Sequence, residues 1–167
     1  MKTTIRFAKI KSNAIIPSKI DENAGMDVYC CFDEDYIIIK PHETKMISTG
    51  IASVCSEDYY FQLFERGSTG TKGMGQRCGV IDSGYRNEWF IPITNHNNIP
   101  IIIMKEKDEK VLNVLKDLSI VYPYEKAICQ VVVLLPVPKV LVDEIDYETL
   151  KCFKSERGMN SLGSTNK

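Results

Sequence analysis

Short apolar runs separated by turn residues dominate the chain. Thr4 to Ile10, Tyr36 to Ile39, Lys45 to Ser48, Ile51 to Cys55, Tyr59 to Phe64, Trp89 to Thr94, Ile99 to Met104 and Val131 to Leu135 are each four to seven residues long. Many are rich in Ile, Val, Tyr and Phe, and Pro, Gly, Asn or Asp stand between them. β-Branched and aromatic side chains suit a pleated, half-buried surface, so these runs predict strands. Strands this short and regular predict an all-β sandwich or barrel rather than βαβ units. One segment has a different period. Asp108 to Leu118 places Val111, Leu112, Leu115 and Leu118 on one helical face, with Asp108 as N-cap. A single short helix is expected there, preceded by a KEKDEK run that reads as a solvated face.

After Phe153 the character changes. Residues 154–167 (KSERGMNSLGSTNK) are polar, small and glycine-containing. Such a tail is either a frayed terminus or an arm that orders over a ligand. Its Arg, Gly, Ser and Thr are residue types that bind phosphate through side chains and exposed N–H groups.

Composition narrows the function classes. The 167 residues fit one domain with a short appendage. Twenty-one basic and 22 acidic side chains leave a net charge of −1, which argues against a general nucleic-acid or membrane-surface binder. The N-terminus has lysines but no continuous apolar stretch, and Val131 to Leu135 is too short to cross a bilayer. A cytoplasmic protein is expected. The six cysteines (30, 31, 55, 78, 129 and 152) include no C-x-x-C spacing, so they read as buried free thiols. His42 and His96 lie in turn-like contexts and read as surface residues. With no Cys/His set to hold a metal, a divalent ion would have to arrive with a substrate.

Three clusters carry candidate chemistry: Ala24 to Val28 (AGMDV), Glu65 to Gly73 (ERGSTGTKG) and Gly79 to Glu88 (GVIDSGYRNE). The second has the glycines, hydroxyls and basic residues of a phosphate cradle but lacks P-loop spacing. The third sets an Asp and a Tyr in a tight turn. Singly, each reads as an ordinary loop. Together with the tail they suggest hydrolysis of a polyphosphate ester.

In this order and spacing the clusters resemble the five motifs of the trimeric dUTPase family. AGMDV resembles the first, RGST the second, GVIDSGYRNE the third, ICQVVV (128–133) the fourth and RGMNSLGST (157–165) the fifth. The similarity covers about Ala24 to Thr165. It implies a distorted jelly-roll β-barrel over residues 1–153, forming a homotrimer with active sites at subunit interfaces. Residues 154–167 would be a flexible C-terminal arm that closes a site. The implied reaction is Mg²⁺-assisted hydrolysis of dUTP to dUMP and pyrophosphate. Asp82 would be the general base for water attacking the α-phosphorus. Tyr85 would pack under the deoxyribose, and the turn containing Gly79, Val80 and Ile81 would read uracil, with Gln76 beside it. Arg66, Gly67, Ser68 and Gln130 would contact the phosphates, and Asp27 would hold hydrated Mg²⁺ through water. In the arm, Arg157, Gly163, Ser164 and Thr165 would clasp the terminal phosphates while Leu162 covers the base.

Several positions depart from the family pattern. The usual Arg-Ser of the second motif is Arg66-Gly67-Ser68, which shifts the hydroxyl by one place. Asn87 stands where glycine is usual, a place where tolerance of positive φ would matter. The basic residue three before Gln130 is Ala127, and Leu162 replaces a stacking aromatic. Residues 95–124 look like an insertion containing the helix, either surface decoration or a dock for a protein partner. dCTP deaminase shares the implied fold but needs a glutamate where Pro92 aligns. A nucleotide-sensitive regulatory binding protein and an inactive jelly-roll structural protein are the readings from other classes.

Overall fold

The computed structural model describes residues 4–18, 22–106, 108–136 and 140–154. The chain forms two compact units, 1–137 and 138–167. In order, the first unit carries β1 (Arg6–Lys9), β2 (Gly25–Val28), β3 (Tyr36–Ile39), β4 (Thr44–Ser48), β5 (Ile51–Val54) and β6 (Tyr59–Phe64). There follow α1 (Gly67–Gly70), β7 (Met74–Gln76), β8 (Val80–Ile81), β9 (Phe90–Asn95), β10 (Ile101–Met104), α2 (Glu109–Lys116), β11 (Ile120–Pro123) and β12 (Cys129–Pro136). The second unit contains α3 (Tyr147–Lys151).

The strands build four small sheets in which sequence neighbours seldom pair: β1–β5, β11–β10–β3, β2–β12–β6–β8 and β4–β9–β7. This is the expected all-β, distorted jelly-roll arrangement. Alternation drives it: in β9 every second residue, Ile91, Ile93 and Asn95, is buried, while Phe90 is exposed.

One expectation fails locally. β10 and β11 pair in parallel, Ile101 opposite Ile120 through Met104 opposite Pro123, so the chain crosses over between them through α2. That is a βαβ unit. Because β10 is covered on both faces, all four of its residues are buried, and its pattern is a continuous apolar run rather than an alternation. Residues 95–124 are therefore not wholly a surface insertion; Ile101, Ile103 and Tyr122 belong to the core.

The helix begins as expected, with the Asp108 side chain accepting from Lys110 N at 2.8 Å. Leu112 and Leu115 are half-buried, whereas Val111 and Leu118 remain exposed. α1 and α3 are additional helical turns of four and five residues, too short to show a 3.6 period in sequence. Lys105, expected in a solvated run, instead places its ammonium 5.3 Å from the Phe32 ring centroid and 5.0 Å from that of Tyr124, and donates to Asp33 O at 3.0 Å. Both histidines are exposed. Cys30, Cys31, Cys55 and Cys129 are buried thiols, but Cys78 is half-buried and Cys152 exposed. Burial pushes the Cys30 thiol up to about 12, so it stays protonated.

Trp89 centres the core. It is fully buried, its ring 5.5 Å from Phe7 and 5.2 Å from Phe61, and its Nε1 donates to Ser53 Oγ at 3.2 Å. Trp89→Ala is expected to remove about 3–5 kcal/mol of unfolding free energy, read in a urea melt. A loss below about 1 kcal/mol would show that the cluster collapses into the space.

Candidate active site

Two of the sequence clusters meet in one cleft. β2 and β12 pair with Asp27 opposite Gln130, and β12 pairs with β6 with Gln130 opposite Phe64. The chain leaves β6 at Glu65 and turns into α1, where Thr69 Oγ1 accepts from Arg66 N at 3.2 Å and donates to Arg66 O at 2.9 Å. This turn aims Arg66 back across the strand ends. An open, mostly polar cleft of about 800 Å³ results, lined by Asp27, Tyr29, Arg66, Gly67, Ser68 and Gln130 among others.

Arg66 organises it. Its Nε and Nη2 donate to the two carboxylate oxygens of Asp27 at 2.9 and 3.1 Å, a bidentate pair. Its Nη1 donates to Ser68 Oγ at 3.0 Å and to Ala127 O at 3.2 Å. The hydroxyl displaced by Gly67 is thus tied to the guanidinium. Gln130 donates to Glu65 O at 2.8 Å, and its side chain occupies room left by Gly25, where a Cβ would stand 2.9 Å from Gln130 Oε1.

The third cluster is a separate loop that joins β8 to β9, strands of different sheets. β8 pairs with β6, Leu63 N donates to Gly79 O at 2.8 Å, and the turn is held by Tyr85 N donating to Asp82 O at 3.1 Å. Ile81 is buried, while Gly79, Val80, Asp82 and Tyr85 are exposed. Tyr85 Oη donates to Glu88 O at 3.0 Å. Arg86 braces the turn through Ser83 O, Tyr85 O and Ser53 O, and Glu88 accepts from Ser48 Oγ and Gly50 N. Asn87 has no positive φ, since His42 is the one non-glycine residue with that conformation among the described residues. The tolerance argument for Asn87 is therefore not needed. Gln76 is half-buried, its side chain donates to Cys78 O, and its main-chain N donates to Glu65 Oε1 at 3.1 Å.

None of Gln76, Gly79, Val80, Ile81, Asp82 or Tyr85 lines the cleft of Asp27 and Arg66. Within one chain the phosphate-type residues come together and the acid loop stays apart. The tail residues Arg157, Leu162, Gly163, Ser164 and Thr165 lie outside the described residues. Sequence reasoning missed Glu65, which joins Gln76 to Gln130, and Ala127 and Tyr122, which hold Arg66 from behind. Their roles rest on main-chain oxygens or buried contacts, which leave no motif.

A profile of the dUTPase family matches residues 11–108. The chain belongs to the dUTPase family. The deoxyuridine 5'-triphosphate nucleotidohydrolase of Nautilia profundicola is 30% identical over 167 residues, covering 98% of this chain and 99% of that protein. Among solved dUTPases, a mutant from Staphylococcus bacteriophage 80alpha with dUpNHpp superposes with a TM-score of 0.72 at 23% identity, covering 97% of this chain and 98% of that one. A mutant dUTPase from phage phi11 of S. aureus, whose structure describes coordination of a structural Mg(II) ion, gives a TM-score of 0.66 at 18% identity, covering 86% and 97%. At these identities the two phage structures speak to the dUTPase fold of the chain. Among the described residues no helix is long and apolar enough to cross a membrane.

Proposed function

We propose that this chain hydrolyses dUTP to dUMP and pyrophosphate at sites each assembled from more than one copy of a homotrimer. The observation that carries the proposal is the pairing of a phosphate-type cleft with an exposed acid loop that the same chain does not bring to it. Arg66, Ser68 and Gln130 would hold the triphosphate, with Gly67 allowing its main chain close approach. From another subunit, Asp82 would hold and deprotonate the attacking water, and Tyr85 would lie against the sugar. Main-chain groups of Gly79, Val80 and Ile81 would read the base beside Gln76. The Gly79 carbonyl already accepts from Leu63 N and from Gln62 Nε2 at 2.9 Å, so base recognition falls to the other groups of the turn.

The donor set fits Mg²⁺ bound through water. No group of three or more metal-ligating side chains occurs among the described residues, and Asp27, which lines the cleft together with Glu22, shares its two carboxylate oxygens with Arg66. Such a site suits an ion that keeps several waters and arrives with a triphosphate. When bound, the ion would neutralise charge developing on the phosphate oxygens. Residues 154–167 would act as the closing arm, with Arg157, Ser164 and Thr165 on the terminal phosphates, Gly163 beside them and Leu162 over the base. The reduced thiols and near-neutral charge fit a cytoplasmic role.

The test is pyrophosphate release from dUTP, dTTP, dCTP and UTP with Mg²⁺. Selective turnover of dUTP is expected. Ammonia release from dCTP would replace the reading with deamination, and no turnover of any of the four would turn it toward a binding protein.

A further inference from the structure

The back of the cleft contains a hydroxyl that packing alone does not require. Tyr122, in β11, is fully buried, and its main chain is fixed opposite Ile103 of the doubly covered strand β10. A phenylalanine would fill the same space in this apolar cluster. A buried hydroxyl is costly unless bonded, and this one donates to Ala127 O at 2.6 Å. That same oxygen accepts Arg66 Nη1. The Ser68 hydroxyl and the Arg66 guanidinium lie against the phenol, where their hydrogen bonds and charge oppose the upward push of burial on its pKa.

The peptide between them is clamped from both sides. Lys126 N donates to Pro123 O at 3.1 Å, closing the turn after β11, and Ile128 N donates to Val28 O at 2.9 Å. Ala127 is itself buried and offers only its carbonyl. Arg66 is therefore oriented by the Asp27 carboxylate in front and the Ala127 carbonyl behind, with the Ser68 hydroxyl also accepting from its Nη1. The first faces the cleft and is open to exchange when a triphosphate arrives. The second is internal and persists only while its oxygen stays in place.

We infer that Tyr122 is a positioning residue for phosphate binding, its hydroxyl fixing the Ala127 carbonyl on which the Arg66 guanidinium is held. The inference rests on the assignment of Arg66 to the triphosphate. Ala127 stands where the family pattern carries a basic side chain, so in this chain Arg66 contacts that position through the main chain, and Tyr122 supports the contact.

The experiment compares the full chain with Tyr122→Phe, Arg66→Lys and the double variant, in dUTP turnover and in calorimetric binding of inorganic tripolyphosphate. A lysine keeps the charge but cannot hold Asp27 and Ala127 together in the planar fork geometry. Tyr122→Phe is expected to raise KM and weaken tripolyphosphate binding about fivefold to tenfold, the scale of one lost buried hydrogen bond. kcat should stay within about twofold, because the loss is in binding rather than chemistry. In the Arg66→Lys background the added Tyr122→Phe change should fall below about twofold, the signature of two residues acting as a unit. An equal effect in both backgrounds, or no effect on tripolyphosphate binding, overturns the inference. Absence of dUTP turnover by the unmodified chain would instead undo the functional reading, while tripolyphosphate still tests Tyr122. Should Tyr122→Phe unfold, ¹³C-tyrosine spectra of the unmodified chain decide the matter. The Tyr122 Cζ signal must shift relative to the same spectra of Arg66→Lys, because the two side chains share the Ala127 oxygen, and an unchanged signal overturns the proposal.

Discussion

Asp82→Asn is expected to lower kcat on dUTP by about 10³-fold, the middle of the range for removing a general base, while leaving the fold and KM nearly unchanged. The structure separates these effects. The turn is held through the main chain, Tyr85 N donating to Asp82 O, and by Arg86 reaching Ser83 O and Ser53 O. The Asp82 residue is exposed at the tip. An amide of the same shape leaves all of those bonds intact and cannot accept a proton at neutral pH. In the proposed arrangement the triphosphate binds in a different cleft, so the change should appear in kcat and kcat/KM alike. Steady-state kinetics with a thermal melt on the same sample checks it. Retention of kcat within about tenfold would move the proton-accepting role away from Asp82.

How much of this was legible in sequence follows from what each feature depends on. Strands such as Tyr59–Phe64 and Tyr36–Ile39 were readable to the residue because their own side chains fix them. β2, β7, β8 and β11 were not marked as runs. β7 (MGQ) and β8 (VI) are three and two residues long and exist because they lie beside β9 and β6. The parallel β10–β11 pair was hidden for a related reason. Its partners are joined by α2, and the apolar run of β10 carries no direction.

The site divides in the same way. Motif order pointed to Asp27, Arg66, Ser68 and Gln130, and the structure brings these four to one cleft. What no motif could give is that Arg66 is shared among Asp27, Ser68 and the Ala127 carbonyl, since a main-chain oxygen has no residue signature. Nor does order along a chain say whether two motifs meet within one copy or between two. AGMDV and RGST meet here; GVIDSGYRNE does not join them.

That last separation leads to the prediction that discriminates most sharply. Arg66→Ala removes the guanidinium at the centre of the cleft and leaves Asp27 unpaired, whereas Asp82→Asn spoils only the acid loop; homotrimers of either variant should be nearly inactive. In trimers formed from an equal mixture of the two chains, a site needs an intact acid loop from one copy and an intact cleft from another. Random assembly around a closed ring meets both conditions at about a quarter of the sites, so about a quarter of unmodified activity should return after subunit exchange. Mixing Asp82→Asn with Tyr85→Ala supplies the control. Both lesions lie on the same loop, every site then carries one of them, and no recovery is expected. If the cleft and acid loop of one chain instead served the same site, no mixed trimer could contain a site intact in both. Activity of the first mixture would then stay at the level of its inactive parents, and the shared-site arrangement would have to be abandoned.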